Sequence, residues 1–385
     1  MDLGRRAVLA VGLGAASALA GCGYQPGGGE LDWETGLSGG GLTETESPTL
    51  VTNGRLVVVG NRSGRTHDFD TGEWVDAEEV QVRTYRGDGT VHWSAETEGQ
   101  YDGSPAADDR GVYVPLDGGE LVAVGPDEDA DTHEDDGDGA ERWRSDGEGL
   151  TEFVAGDGVV VGTDRERIVG FDAEDGDRRF DRELGDAAVG DLAIGNGTVW
   201  IGSARGNGEG ELVAVDTDGE ERFSRSLPST VQRMAATAEG CLLELGDDAG
   251  LTMIGTGSDD RWDREAAPSG RWATTGDRLY GVVDGDLTAI DLGDGAVRWE
   301  RSDVDTNGRV VADERGVYAR GTVPGLDGCG LVAVDRDGDR WWEAPLPRDV
   351  DCSGELLLVG DRLVLVQSST AYGFRAGPGL RLSLF

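Results

Sequence analysis

An all-β ring of eight four-stranded blades, an eight-bladed β-propeller, is the fold that the 385-residue sequence predicts, on three observations. One small pattern returns eight times: a turn of the Asn-Gly or Asp-Gly kind, an apolar strand, a second apolar strand, then an acidic turn and an aromatic residue. Self-similarity at a spacing of tens of residues signals a repeat architecture. The aromatic recurs at one place in the pattern. Finally, the last repeat lacks its outer strand, while an orphan outer strand stands at the other end of the chain, which is the arrangement that closes a ring.

Each element follows in order. The turns are Asn53-Gly54, Arg110-Gly111, Asp157-Gly158, Asn196-Gly197, Glu239-Gly240, Gly276-Asp277, Arg315-Gly316 and Gly360-Asp361. Asn-Gly and Asp-Gly suit two-residue hairpins because both central positions need φ > 0. The strand after each turn is apolar, at 56–59, 112–114, 159–161, 199–201, 241–245, 279–283, 317–319 and 363–366. A further strand follows at 80–85, 121–124, 168–171, 212–215, 251–254, 287–290, 331–334 and 371–374. Short β-branched and aromatic runs bounded by Gly, Asn and Asp read as strands. A Gly/Asp turn then leads to an outer strand with Trp93, Trp143, Phe180, Phe223, Trp262, Trp299 or Trp342. The eighth such strand is Leu31-Asp32-Trp33-Glu34-Thr35, which is expected to complete the last blade and protect its edge. The run from Asn61 to Glu79 reads as an irregular insertion within the first blade.

Acidic residues outnumber basic ones 76 to 34, for a formal net charge of −42, and every basic side chain other than histidine is arginine. Nucleic acid is excluded as a partner, because phosphate binding needs clustered cations. Self-repulsion of this size is tolerable only where salt screens it. The expected source is an extreme halophile, a haloarchaeon. The N-terminus reads as an export signal. Arg5 and Arg6 form a charged start suggesting the twin-arginine route, residues 7–20 form an apolar run too short to span a bilayer, and Leu19-Ala20-Gly21-Cys22 follows. That run resembles a lipobox, with Cys22 as the lipidated mature N-terminus. The expected organisation is a signal peptide with lipobox over residues 1–22, a flexible Gly-rich tether over 23–30, and one propeller domain over 31–385. Cys241 opens an apolar strand and reads as a buried small hydrophobe. Cys329 and Cys352 flank the last two repeats; an oxidising exterior permits a bridge between them, although connectivity is not readable from sequence.

The run Ala-x-Asp-x-x-x-Gly-x-x-x-Trp, here Ala289, Asp291, Gly295 and Trp299, resembles the repeat of PQQ-type β-propellers. The resemblance implies that the outer-strand aromatics, Trp33 included, dock onto the adjoining blade. By overall plan the chain is also similar to the propeller lipoprotein of the bacterial outer-membrane assembly machine. The family contains quinoprotein dehydrogenases, which the resemblance describes as needing an adjacent cysteine pair, a calcium held by Glu and Asn, and an Asp base. No two cysteines are adjacent here, and the asparagines sit mostly in hairpin turns.

Other chemistries lack their residues. His67, His92 and His133 have no zinc-site spacing and the absence of lysine excludes Schiff-base chemistry; spacing leaves a Ser-His-Asp set open, but there is no Gly-x-Ser-x-Gly elbow. The acidic run from Asp127 to Glu141 alternates carboxylates, but it lacks the full spacing of a calcium loop and reads as a solvated insertion. No catalytic, cofactor-binding or metal-binding residue is assigned. The expected function is that of an extracytoplasmic, lipid-anchored, monomeric propeller that binds other proteins or a surface polymer without catalysis, a PQQ-dependent dehydrogenase being the alternative.

Overall fold

The computed structural model describes residues 27–37, 49–67, 74–126, 137–147, 149–185, 187–206, 208–246, 249–322, 328–350 and 352–377. Thirty-two strands form eight four-stranded antiparallel blades. Blade 1 comprises Thr49–Thr52, Arg55–His67, Trp74–Tyr85 and Val91–Glu98. Blades 2 to 7 cover residues 106–146, 152–183, 188–227, 231–264, 269–301 and 305–345. Blade 8 takes its inner three strands from residues 355–375, and its outer strand is Leu31–Gly36, paired antiparallel with Thr370–Arg375. The ring is therefore sealed by the N-terminal strand. Two neighbouring pairs of blades also share a ladder: blades 1 and 2 through parallel bridges at Trp93–Gly137 and Ser94–Asp138, and blades 6 and 7 through Arg271–Arg309.

Burial explains the sequence pattern. The second and third strands of a blade lie between two neighbouring blades, so both their faces are covered and they read as unbroken apolar runs. Val57, Val59, Val80 and Val82 of blade 1 pack on Val112, Val114, Val122 and Val124 of blade 2, all essentially inaccessible. Each such side chain contributes about 1.5–3 kcal/mol of transfer free energy. The hairpins at Asn53-Gly54, Asp157-Gly158 and Asn196-Gly197 have positive φ at both central residues, as their composition predicts.

The outer-strand aromatics dock as the resemblance implies. The indole Nε1 of Trp33 donates to Gly87 O at 2.8 Å, Trp143 to Ala173 O at 3.2 Å and Trp262 to Leu292 O at 2.8 Å. Trp299 donates to Arg336 O at 3.0 Å and Trp342 to Ala376 O at 2.9 Å, each acceptor lying on the next blade. Four residues before the outer-strand aromatic of most blades stands a residue with positive φ: Gly29, Gly89, Gly176, Gly219, Ser258, Gly295 and Gly338. At all of these but Ser258, the ring of the preceding blade lies where a Cβ would be; at Gly295 such an atom would come within 2.7 Å of Trp262. Glycine is required there twice over, for its backbone and for its missing side chain. Arginines two residues beyond the aromatic add a second stitch. Arg225 reaches Ser258 O at 3.1 Å, Arg264 reaches Gly295 O at 2.8 Å and Arg301 reaches Gly338 O at 2.6 Å.

Three expectations change. Residues 27–30 are not tether: Gly29 N–H donates to Arg375 O at 2.8 Å, and Gly28 and Gly29 pack against Trp342. Gly29 and Trp33 have the same spacing as Gly295 and Trp299, so the N-terminus supplies the turn of blade 8 as well as its strand. The run from Asn61 to Glu79 is no irregular insertion. Its backbone continues the blade 1 ladder from Asn61–Val80 out to His67–Trp74, making a long hairpin arm. The third change concerns the inner strand of each blade, which precedes the hairpin turn and which the apolar pattern does not name; its burial is mixed, as in Glu152–Gly156 and Ser269–Thr275.

Candidate functional site

The inner strands line the channel, and the residue four positions before the last paired residue of each forms a belt. Using the hairpin registers that end at Gly156, Gly195, Thr237, Thr275, Asp313 and Val359, the belt of blades 3 to 8 reads Glu152, Asp191, Arg233, Arg271, Arg309, Glu355. Strand residues alternate between faces. The residues after the belt (Phe153, Leu192, Met234, Trp272, Val310 and Leu356) are buried in the blades. The next ones along, Val154, Ala193, Ala235, Ala273, Val311 and Leu357, point to the opposite face and pack against the neighbouring hydrophobic clusters.

The belt is divided by sign. Two acids lie on blades 3 and 4, three arginines on blades 5 to 7, and one acid on blade 8. Asp191 is committed to structure: its Oδ2 accepts Met234 N–H at 2.7 Å and its Oδ1 accepts Leu192 N–H at 2.9 Å. Burial pushes its carboxyl above the ordinary value, against the pull of those two N–H groups and of Arg233. Arg233 donates to Gly270 O at 2.7 Å, lies 5.6 Å from the centre of the Trp272 ring, and is 3.7 Å from Glu244. Trp272 Nε1 in turn donates to Glu244 at 2.6 Å. Arg271 pairs with Glu355, whose other oxygen accepts the Thr49 hydroxyl at 2.9 Å. Arg309 is exposed, and its side chain makes no hydrogen bond or ion pair to a described residue.

Arg271 and Arg309 are presented by matching bulges. The register slips between Ser269 and Ala273 in blade 6 and between Thr306 and Val310 in blade 7. Each bulge places a left-handed glycine immediately before the arginine, Gly270 at φ 77° and Gly308 at φ 76°. A cavity of about 310 Å³ opens beside them, lined by Arg271, Ala273, Arg309, Val311, Glu355 and Leu357, among others. The Gly-Arg dipeptides are legible in the sequence at 270–271 and 308–309, but only hairpin register brings them to one level.

The residues singled out from sequence are scattered by comparison. Arg5, Arg6, Cys22 and His133 lie outside the described residues. So does most of the acidic run, residues 127–136; residues 137–141 belong to the outer strand of blade 2, where Glu141 binds Arg144 at 2.9 Å and Thr97 at 2.6 Å. The hydrogen bond from Arg144 holds its carboxyl below the usual range. Cys241 is buried, which pushes its thiol well up. Cys329 and Cys352 are bonded to each other, 23 residues apart. That bond joins distant residues rather than an adjacent pair, and no cluster of three metal-ligating side chains occurs among the described residues. The residues present do not fit a quinone capped by vicinal cysteines beside a calcium ion.

Comparisons with known proteins agree with the blade topology. The family model described as outer membrane protein assembly factor BamB matches residues 131–242 and 193–375, together more than half of the chain. The chain belongs to the BamB family. The crystal structure of BamB from Moraxella catarrhalis is similar with a TM-score of 0.55 at 17% identity, covering 89% of this chain and 98% of that one. The computationally designed Ika8 protein gives 0.46 at 14% identity over 78% of this chain and 97% of its own, and the Pan2 WD40 domain of Neurospora crassa 0.45 at 9% over 72% and 88%. Comparison with curated proteins finds no match. Like the BamB family at large, the chain is a PQQ-type propeller, and its fold supports a protein-binding or scaffold module.

Proposed function

We propose that this BamB-family propeller is an extracytoplasmic, lipid-anchored scaffold that holds other proteins or a surface polymer at the cell membrane, without catalysis. The carrying observation is where the ring is sealed. The first described residue, Gly27, stands only five residues after Cys22. Five residues reach at most about 18 Å when fully extended. A lipid on Cys22 would therefore hold the junction of blades 7 and 8, where Gly28 and Gly29 pack on Trp342, close to the bilayer and turn the rest of the ring toward partners. The twin-arginine pair fits such a protein, since that route exports folded chains and this fold needs both ends in place before it closes. The family's description speaks of outer-membrane protein assembly; the halophile reading argues for a partner at a different surface, with molar salt screening the −42 charge.

The anchor is tested by Cys22→Ser in the native host. Release into the medium, or accumulation of the unprocessed precursor, is the expected result; membrane retention of a correctly processed variant refutes lipidation at this residue. The scaffold role is tested by cross-linking on native membranes followed by mass spectrometry. A specific co-purifying partner is expected, and a chain recovered alone, with a quinone absorbance, would overturn the role.

A further inference from the structure

We propose that the cavity among the inner strands of blades 6 to 8 is a binding site for a carboxylate carried on a small apolar body. The site is independent of anchoring and adds a ligand chemistry to the scaffold reading. Four features converge on it. Arg309 keeps a whole guanidinium unspent in a chain whose other arginines are largely engaged in ion pairs or carbonyl contacts. Among the described residues, the ion-pair partner of its neighbour Arg271 is Glu355, on the surface of the same cavity. The bulges with Gly270 and Gly308 aim both side chains at one level, and a Cβ on Gly270 would meet Gly308 O at 2.1 Å, so this spacing depends on glycine. Ala273, Val311 and Leu357 line the same cavity.

The site is also braced. Buried Arg320, 3% exposed, donates to the carbonyls of Ser353 and of Gly354, the latter at 2.9 Å, and Cys352 is bonded to Cys329. The segment leading into Glu355 is thereby pinned from two sides. A preorganised site loses less entropy on binding.

Charge and volume select the ligand. A planar guanidinium matches a carboxylate in a two-pronged hydrogen bond. A dianionic phosphate would set a second charge against Glu355 and the apolar lining, whereas a carboxylate puts one charge at the arginines and its hydrocarbon on Val311 and Leu357. The cavity of about 310 Å³ stands at the small end of ligand pockets. Glu355 competes for Arg271, so binding must displace or share that pair.

The test is calorimetric titration of the full chain in molar salt with hexanoate, with hexanol and hexylamine as controls of equal length. Saturable binding of hexanoate alone is expected. Arg309→Ala should weaken it about tenfold or more, the loss of a charge-assisted hydrogen-bonded pair. Arg309→Lys should fall between, and Glu355→Gln should strengthen binding by freeing Arg271. Since the Arg309 side chain bonds to no described residue, its variants should unfold at the wild-type urea midpoint. A free-carboxylate peptide ending in leucine, beside its amide, separates the two sources of such a group. Tighter binding of the acid peptide than of hexanoate assigns the site to chain termini, and the reverse assigns it to small metabolite-like acids. No saturable binding of either acid, equal binding of hexanol, or wild-type affinity in both Arg309 variants overturns the proposal.

Discussion

The contact between Trp262 and Gly295 joins blade 5 to blade 6 and lends itself to a double-mutant cycle. Trp262 is 9% exposed, donates its indole N–H to Leu292 O at 2.8 Å, and lies on the open side of Gly295, whose φ is 68°. Replacing Trp262 by Ala empties the space between two blades and orphans a carbonyl, and should cost about 3–5 kcal/mol. Gly295→Ala carries two penalties. The left-handed backbone costs about 1–2 kcal/mol with a side chain present. The new Cβ, 2.7 Å from the indole, adds about 1–3 kcal/mol of overpacking. In the Trp262→Ala background the second penalty vanishes, because the three nearest atoms to that Cβ all belong to Trp262. The double variant should therefore be more stable than the sum of the singles predicts, by about 1–3 kcal/mol. Urea unfolding at fixed salt measures it, with free energies compared only if the slope against urea is unchanged. Additivity within about 0.5 kcal/mol would refute the stacked contact, and so would a Trp262→Ala cost below about 1 kcal/mol.

Four further outcomes follow from the same structure. Deleting residues 27–36 removes the Asp32 ion pairs to Arg362 at 2.9 Å and Arg375 at 3.2 Å together with the Trp33 contact, and should expose the blade 8 edge and cause aggregation visible by light scattering; a soluble variant of wild-type stability would show that the ring does not rely on this seam. Reducing the Cys329–Cys352 bond frees a 23-residue span and should cost about 3 kcal/mol in a denaturant titration, an unchanged midpoint being the contrary result. Asp303 is held at about 2 from an ordinary 3.8, first by the hydrogen bonds from Arg301, with Arg340 adding its charge, so its contribution is present above 3.8 and lost as pH falls toward about 2; Asp303→Asn should flatten stability against pH over that window, and an unaltered profile would contradict the pairing. Diluting salt should unfold the chain, because screening of the −42 charge falls away; full ellipticity in low salt would remove the halophile reading.

How much of this was legible in the sequence depends on which face of a strand meets what. The second and third strands, such as Val159–Thr163 and Arg167–Asp172, are covered on both sides, and their near-continuous apolar runs announce them. The outer strands announce themselves by one aromatic, because most blades set a large flat ring over the next blade's glycine. The orphan strand around Trp33 could be assigned to the last blade by counting alone. That Gly29 belongs with it was also written in the chain, as the Gly-x-x-x-Trp spacing shared with Gly295 and Trp299, but a glycine-rich run beside a signal peptide reads as tether until the turn it makes is seen.

The inner strands resisted reading for a physical reason. Arg271-Trp272-Ala273 and Arg309-Val310-Val311 each offer one buried residue between a charge and a small side chain, too few to register as a strand. Composition and periodicity determined an all-β ring, its blade count, its closure and the acidic surface, because those depend on burial summed over many equivalent residues. The channel belt, with three arginines at one level and Glu355 beside them, was decided only by tertiary structure. Residues some forty positions apart become neighbours there through hairpin register and bulges, and no local preference of the chain encodes that meeting.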